Sequence, residues 1–366
     1  MAIIEEGQII RDTYEVERFL GEGAFAEVYR VKHRFLGRQA MKVFKRVGMT
    51  LDDINEMLGE AILLSRIGHP NIVRVFDANV FESTLGVCGY FTMENVPGGS
   101  LEKYWHSHGL SLVPIEATLE LMKQVCRGIA QGHRENPPII HRDIKPQNVL
   151  VGYEADGLRA RVSDFGLAKK VNPLTLLATA AGTLAFKPPE VFRQQRNDSC
   201  TGDVWAIGTT LYLLLTDRLP FPLPANATWD DPNLFQGSCM PPSEINPDAN
   251  EALDHIVLKA LEKRPEDRYA NAQELLDSLE HWKPEVSDST TADAYLSSEA
   301  SKAVLGAHSP LNQRSAEALM ERAFKTRQAG RLGEAADLME EAFNKSQELR
   351  AKYAHQVKLW RCGISM

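Results

Sequence analysis

His141-Arg142-Asp143-Ile144-Lys145-Pro146-Gln147-Asn148 is the stretch on which this sequence turns, and Asp164-Phe165-Gly166 follows it. Asp143 has the chemistry to accept a hydrogen bond from an attacking hydroxyl, and Lys145 to stabilise a group in transfer. Asn148 and Asp164 offer hard oxygen ligands of the kind Mg²⁺ takes alongside phosphates and water. Phosphoryl transfer asks for this combination, because it demands positioned metal ions and charge stabilisation but little covalent participation by the protein. A polar loop of capping residues would account for any one of these side chains. It does not account for eight specified residues with a metal-type acid behind them.

Two weaker signals lie upstream. Leu20-Gly21-Glu22-Gly23-Ala24-Phe25-Ala26-Glu27-Val28 sits between two strand patterns, where glycines let backbone amides approach phosphate oxygens. Taken alone, such a string is more often a plain turn. Lys42, in Ala40-Met41-Lys42, suits a strand position facing a cleft, where it would neutralise phosphate charge if an acid held it in place. Glu60 is the acid on hand. Separately, a strand lysine and a helix glutamate are ordinary surface charges.

The pattern around these motifs divides the chain. Tyr14 to about Met93 reads mostly as strands, with apolar and polar residues alternating over 14–20 and 27–32 and a short mixed run over 39–44. One helical pattern interrupts them at 51–67. Pro97-Gly98-Gly99-Ser100 is a turn or short linker, after which helical patterns follow at 114–134, 202–216, 248–262 and 271–282. A small β-rich unit followed by a larger helical unit predicts an α+β protein of two lobes meeting at a cleft near 94–100.

The 366 residues are 43% apolar and 25% charged, enough to bury a sizeable core. A net charge of −8 argues against a nucleic-acid binder built on phosphate neutralisation. Residues 284–366 hold 11 basic and 11 acidic side chains, so all of that excess lies before residue 284. Five cysteines without a CxxC spacing, no basic-apolar leader, and no apolar run longer than 204–215 lead us to expect reduced thiols, no membrane span and a cytoplasmic location.

Residues 284–313 are rich in Ser, Thr and Ala and poor in large apolar residues, which predicts a linker. Beyond it, two amphipathic helical patterns over 316–349 flank Ala329-Gly330-Arg331-Leu332. Their 34-residue span and the Glu334-Ala335-Ala336 junction resemble a tetratricopeptide repeat over 314–361, although the expected Trp and closing Pro are absent. An ordinary helical hairpin fits as well. A lone unit of this kind must dock on the rest of the chain, dock on a protein partner, or be a remnant.

With these residues in view, the chain resembles a eukaryotic-type (Hanks-type) Ser/Thr protein kinase, including its bacterial members, over about residues 10–283. The resemblance implies a bilobal kinase fold, with an N-lobe over 10–93 carrying one helix, a hinge at 94–100 and a mainly helical C-lobe over 101–283. It implies ATP and Mg²⁺, with Mn²⁺ able to substitute, and protein substrates. Residue by residue, Gly21 and Gly23 cover the phosphates, with Leu20 and Val28 beside them. Ala40 and Leu150 sandwich the adenine, Met93 is the gatekeeper, and Glu94, Asn95 and Val96 form the hinge. Lys42 pairs with Glu60, Asp143 is the catalytic base, Lys145 meets the γ-phosphate, and Asn148 and Asp164 bind the metal. Gly182 to Glu190 resembles the end of an activation segment, Asp203 to Gly208 the start of a central helix, and Arg268 the buried partner of Glu190.

Three positions depart from the pattern. Ala26 replaces the third glycine, Pro188-Pro189-Glu190 replaces Ala-Pro-Glu, and Phe186 stands where Tyr is common. Lys145 and Thr183 underlie the Ser/Thr assignment. Arg142 beside Asp143 implies control by phosphorylation, with Thr175 and Thr179 as acceptors and Thr183 as a structural contact. The apolar stretch 174–181 is expected to pack on the helical lobe or on a second copy. Two rival readings are a nucleotide-binding scaffold without turnover, recruiting partners through the tail, and a small-molecule phosphotransferase of related fold. The scaffold predicts loss of Lys42, Asp143 or Asp164, and all three are present. The phosphotransferase generally lacks the 182–190 and 203–208 segments.

Overall fold

The computed structural model describes residues 3–23, 26–45, 58–59, 67–83, 86–109, 111–154, 157–165, 185–194, 199–221, 235, 237–284, 310–328, 331–343 and single or paired residues from 345 to 360. The chain has the bilobal kinase fold. In the N-lobe, β1 (Ile9–Ile10), β2 (Tyr14–Glu22), β3 (Ala26–His33), β4 (Gly37–Phe44), β5 (Val75–Ser83) and β6 (Gly86–Glu94) form one antiparallel sheet in the order β1-β2-β3-β4-β6-β5. Alternation along the strands divides the side chains between two cores. Tyr29, Val31, Met41, Val43, Phe81 and Tyr90 pack with Ile3 and Ile4 on one face. Ala26, Ala40, Phe44, Phe91 and Met93 pack on the other, together with Leu58. Leu58 and Gly59 are helical and are the part of the expected 51–67 helix that is described, apart from Ile67.

The C-lobe contains α1 (Leu101–His106), α2 (Ile115–His133), the hairpin of β7 (Val149–Glu154) and β8 (Gly157–Val162), α3 (Pro189–Gln194), α4 (Cys200–Thr216), α5 (Glu251–Ala260) and α6 (Ala272–His281). Every residue of α4 from Gly202 to Thr216 is buried, which explains why the 204–215 run is apolar on all sides. Its threonine hydroxyls donate back to the carbonyls four residues earlier, Thr209 to Trp205 at 3.0 Å and Thr216 to Tyr212 at 2.7 Å. Ser199, Asn250 and Asn271 cap α4, α5 and α6 by accepting from backbone N–H groups of the first turn. The short helices α1 and α3 carry no periodic signal because six residues span fewer than two turns, and β7 of the β7–β8 hairpin does not alternate apolar with polar residues.

After the C-lobe come α7 (Pro310–Gln328) and α8 (Leu332–Phe343). The first turn of α7, 310–313, lies within the stretch expected to be linker; proline suits it because N–H groups there lack helical partners anyway. Residues 285–309 lie outside the described residues. The two helices, together with Val357 and Trp360 beyond them, close a core that includes Ala323, Ala335, Ala336, Met339 and Phe343. The tail docks on both lobes through polar groups. Asp337 on α8 pairs with Arg30 on β3 and, at 3.7 Å, with Arg38 on β4. Arg350 donates to the carbonyl oxygen of Glu154 and lies 4.9 Å from the ring of Tyr153, both on β7. No helix among the described residues is long and apolar enough to cross a membrane.

Candidate active site

The cleft between the lobes gathers the residues that the sequence singled out from both sides. Strand register sets the upper wall: Val28 lies opposite Lys42 across β3 and β4, and Ala40 opposite Met93 across β4 and β6. Ala40 and Met93 belong to the lower apolar core of the sheet, and Leu20, Val28 and Leu150 pack against it as partly buried neighbours. This joins one residue of β7 to four of the N-lobe sheet in a single apolar surface. Gly21 pairs with Val28 and Glu22 with Glu27 as β2 turns toward β3.

Behind that surface the chain passes between the lobes at close quarters. Glu94 donates its backbone N–H to Arg74 at 2.8 Å, and its carboxylate pairs with Arg161 of β8 at 3.0 Å. Gly98 lies so near β7 that a Cβ there would sit 2.1 Å from the carbonyl oxygen of Val151, a contact only glycine permits. Val151 donates in turn to the carbonyl of Gly99 at 2.8 Å. Val96 lies against Gly152.

The 141–148 loop is fixed from below by the buried Asp203 at the start of α4. One carboxylate oxygen accepts from the His141 amide and the other from the Arg142 amide, each at 2.8 Å. Burial works against ionisation of Asp203, but the hydrogen bond from His133 and the other donors outweigh it and lower its pKa. His141 is buried, and burial pushes its pKa down, so the ring is neutral. Its Nε2–H donates to Ser163 at 2.8 Å while Nδ1 accepts from the Asp143 amide at 3.2 Å. That one imidazole ties the loop to the residue preceding Asp164. Arg142 and Asp164 adopt left-handed backbone, with φ of 70° and 63°, an unfavourable state for residues with side chains that the surrounding bonds hold in place.

Asp143 sits at the centre. Lys145 Nζ donates to Oδ2 at 2.8 Å, Asn148 Nδ2 to Oδ2 at 2.9 Å, and Lys187 Nζ to Oδ1 at 3.1 Å. Burial alone would raise this carboxyl's pKa, but the two ammonium groups, Lys187 foremost, hold it well below the usual carboxylate range. Asn148 Nδ2 also donates to the Asp143 carbonyl at 2.7 Å, which commits the amide nitrogen and turns Oδ1 away as an acceptor. Lys42 reaches from the N-lobe to Asp164 Oδ1 at 2.5 Å. An amide oxygen and a carboxylate are the hard donors a magnesium ion takes when phosphates and water complete its shell, so the residues present fit that ion.

Glu60, Thr175, Thr179 and Thr183 lie outside the described residues, as do Gly166 and the 174–181 stretch. Gly23 closes the turn after β2 by donating to Ala26 O at 2.8 Å. Two contributors escaped the sequence reading. Lys187 was read only as part of a closing motif, and Arg161 lies in a hairpin that was not resolved as one. A lysine between Phe186 and two prolines was the signal for the first. The expected Glu190–Arg268 pair is present as a fork, with both bonds at 2.8 Å and the guanidinium 4.9 Å from the Trp205 ring.

Comparison with known proteins agrees with this arrangement. The family described as "Protein kinase domain" matches residues 14–279. The probable serine/threonine-protein kinase PknB of Lactococcus lactis is 33% identical over 283 residues, which cover 76% of this chain and 43% of that protein. Serine/threonine-protein kinase PknB of Mycobacterium tuberculosis is 31% identical, covering 74% and 43%. The chain thus spans about two fifths of the length of these curated relatives. The crystal structure of the Mycobacterium tuberculosis PknI kinase domain matches with a TM-score of 0.56 and 23% identity, over 76% of this chain and 98% of that one, a likeness of fold. From residue 14 to residue 279, this chain belongs to the protein kinase domain family and is homologous to bacterial Ser/Thr kinases.

Proposed function

We propose that the chain is an ATP- and Mg²⁺-dependent kinase that transfers the γ-phosphoryl group of ATP to serine and threonine hydroxyls of proteins. The observation that carries this reading is the convergence of Asp143, Lys145 and Asn148 on one loop with Asp164 and Lys42 across the cleft. In this reading the adenine lies between Ala40 and Leu150, and the glycine turn at Gly21 and Gly23 covers the phosphates. Lys42 shifts from Asp164 to share the charge of the α- and β-phosphates. Asn148 Oδ1 and the Asp164 carboxylate would hold Mg²⁺, which supplies neutralisation of phosphate charge when bound.

Asp143 accepts the hydrogen bond of the attacking hydroxyl and orients its lone pair toward phosphorus. With a depressed pKa it is a weak base, so it takes the proton late, as the new P–O bond forms. Lys145 faces the transferred group from the same loop and offsets its charge. The catalytic unit extends over 10–283, followed by a linker over 284–309 and a tail that begins with α7 at Pro310 and runs to residue 361. The tail's alanine-rich helix crossing supports a tetratricopeptide-like unit, used here by docking on its own kinase domain.

Purified protein supplied with γ-labelled ATP, Mg²⁺ and a generic protein acceptor should label serine and threonine, and Asp143→Asn should abolish transfer. Nucleotide binding with no transfer, even to itself, would replace this reading by the scaffold.

A further inference from the structure

The segment that runs into α3 sends a buried cation back to the centre of the site. Lys187 is only 7% exposed. Its ammonium donates to the carbonyl oxygen of Arg142 at 2.7 Å and to Asp143 Oδ1 at 3.1 Å. Each acceptor is itself fixed. The left-handed backbone of Arg142 aims that carbonyl, and the bond from its amide to Asp203 holds it there. Lys145 and Asn148 hold Asp143 through the opposite carboxylate oxygen, Oδ2. The carboxylate is thus gripped on both sides.

The root of Lys187 is equally constrained. Ala185 and Phe186 pack on Leu213 of α4, with Trp105 and Leu219 alongside. Three residues after Lys187, Glu190 is forked onto the buried Arg268. Two prolines stand between, restricting the chain that joins these anchors. A lysine so placed is no wandering surface charge: burying an ammonium is costly unless good acceptors meet it, and here two do.

We propose that Lys187 is a positioning residue for phosphoryl transfer: it aims the Asp143 carboxylate at the acceptor hydroxyl and couples that aim to the seating of the 185–190 segment. This rests on the kinase reading. In this proposal Lys187 meets neither the nucleotide nor the acceptor hydroxyl; its contact is with Asp143 Oδ1 at 3.1 Å. It acts through Asp143, and its effect belongs to the chemical step and not to ATP binding. A shift of a reacting group by about an ångström can cost on the order of 100-fold in rate, so loss of one side of the grip should be plainly visible.

The test compares the 366-residue protein with its Lys187→Met and Lys187→Arg variants. For Lys187→Met we expect kcat to fall by on the order of 10- to 100-fold, with the KM for ATP and the affinity for a fluorescent ATP analogue unchanged. Lys187→Arg, which keeps a donor for both acceptors, should recover part of the loss. A kcat for Lys187→Met equal to or above that of the parent would overturn the proposal, and so would an equal loss in both variants or a loss carried by KM. A double-mutant cycle with Asp143→Asn in urea unfolding supplies a readout independent of activity: the two shifts in midpoint should fail to add, and additivity would overturn the pairing. A parent protein that transfers no phosphate would defeat the kinase reading, while this cycle would still decide whether Lys187 and Asp143 act as a unit.

Discussion

Arg30 on β3 and Asp337 on α8, 307 residues apart in sequence, form an ion pair in which both side chains are largely withdrawn from water. Glu17 of β2 completes the cluster, binding Arg30 at 2.6 Å and Arg38 at 2.8 Å. The tail has its own apolar core, and these charges together with the Arg350 contact with β7 link it to the kinase domain. Such an interface is held by polar groups, so ionic strength should loosen it.

Replacing Asp337 with Ala removes from Arg30 and Arg38 the carboxylate that ties them to α8. We expect the tail to detach without unfolding the kinase domain. Limited proteolysis at fixed pH should cut the 285–309 stretch severalfold faster than in the parent, and added salt should have the same effect on the parent. Equal cutting rates would show that other contacts hold the tail.

Glu340 gives this docking a pH dependence. It lies on the same helix as Asp337, and burial, reinforced by the charge of Asp337, lifts its carboxyl from 4.5 to about 7 against the pull of Arg38 and Arg30. A raised carboxyl pKa means that the docked state binds the proton more tightly than the free state. The contribution is therefore present at low pH and is lost as pH rises from the ordinary value toward about 7. Small-angle scattering from about pH 5 to about pH 8 should show the radius of gyration rising, and Glu340→Gln should flatten the curve.

The Glu190–Arg268 fork should dominate the stability of the C-lobe floor. Arg268 is 4% exposed, and its remaining donors go to the carbonyls of Glu262, Lys263 and Thr201. Glu190→Ala strands a buried guanidinium, at a cost of about 3–5 kcal/mol in urea unfolding. A loss below about 1 kcal/mol would mean that the three carbonyls alone suffice to hold the charge.

Gly98→Ala should push the hinge away from β7. The added methyl would meet the Val151 carbonyl at 2.1 Å, so one of the two chains must move. We expect about 1–3 kcal/mol of destabilisation together with weaker nucleotide binding by isothermal titration. Gly128→Ala, whose methyl would meet the Asn71 carbonyl at 2.7 Å beneath the cleft, should destabilise to a similar degree. Unaltered melting temperatures for both would contradict this packing.

The two lobes, the strands β2 to β4 and the helices α2, α4, α5 and α6 were legible in the sequence. Each is long enough for its apolar period to register, or is bounded by a residue such as Ser199 or Asn271 that caps a helix. The grouping of the 141–148 loop with Asp164 was legible too, because the phosphoryl transfer we propose requires particular functional groups in a fixed order along one loop. What tertiary structure alone decided is which of those groups touch. Lys42 meets Asp164 across 122 residues of sequence, Lys187 reaches back to Asp143, and Asp337 finds Arg30, none of them marked by local spacing. Local sequence governs dihedral preference and which face of an element is apolar. A cation's partner is set by burial, since desolvation makes the nearest acceptor obligatory, and burial exists only once the lobes and the tail have packed.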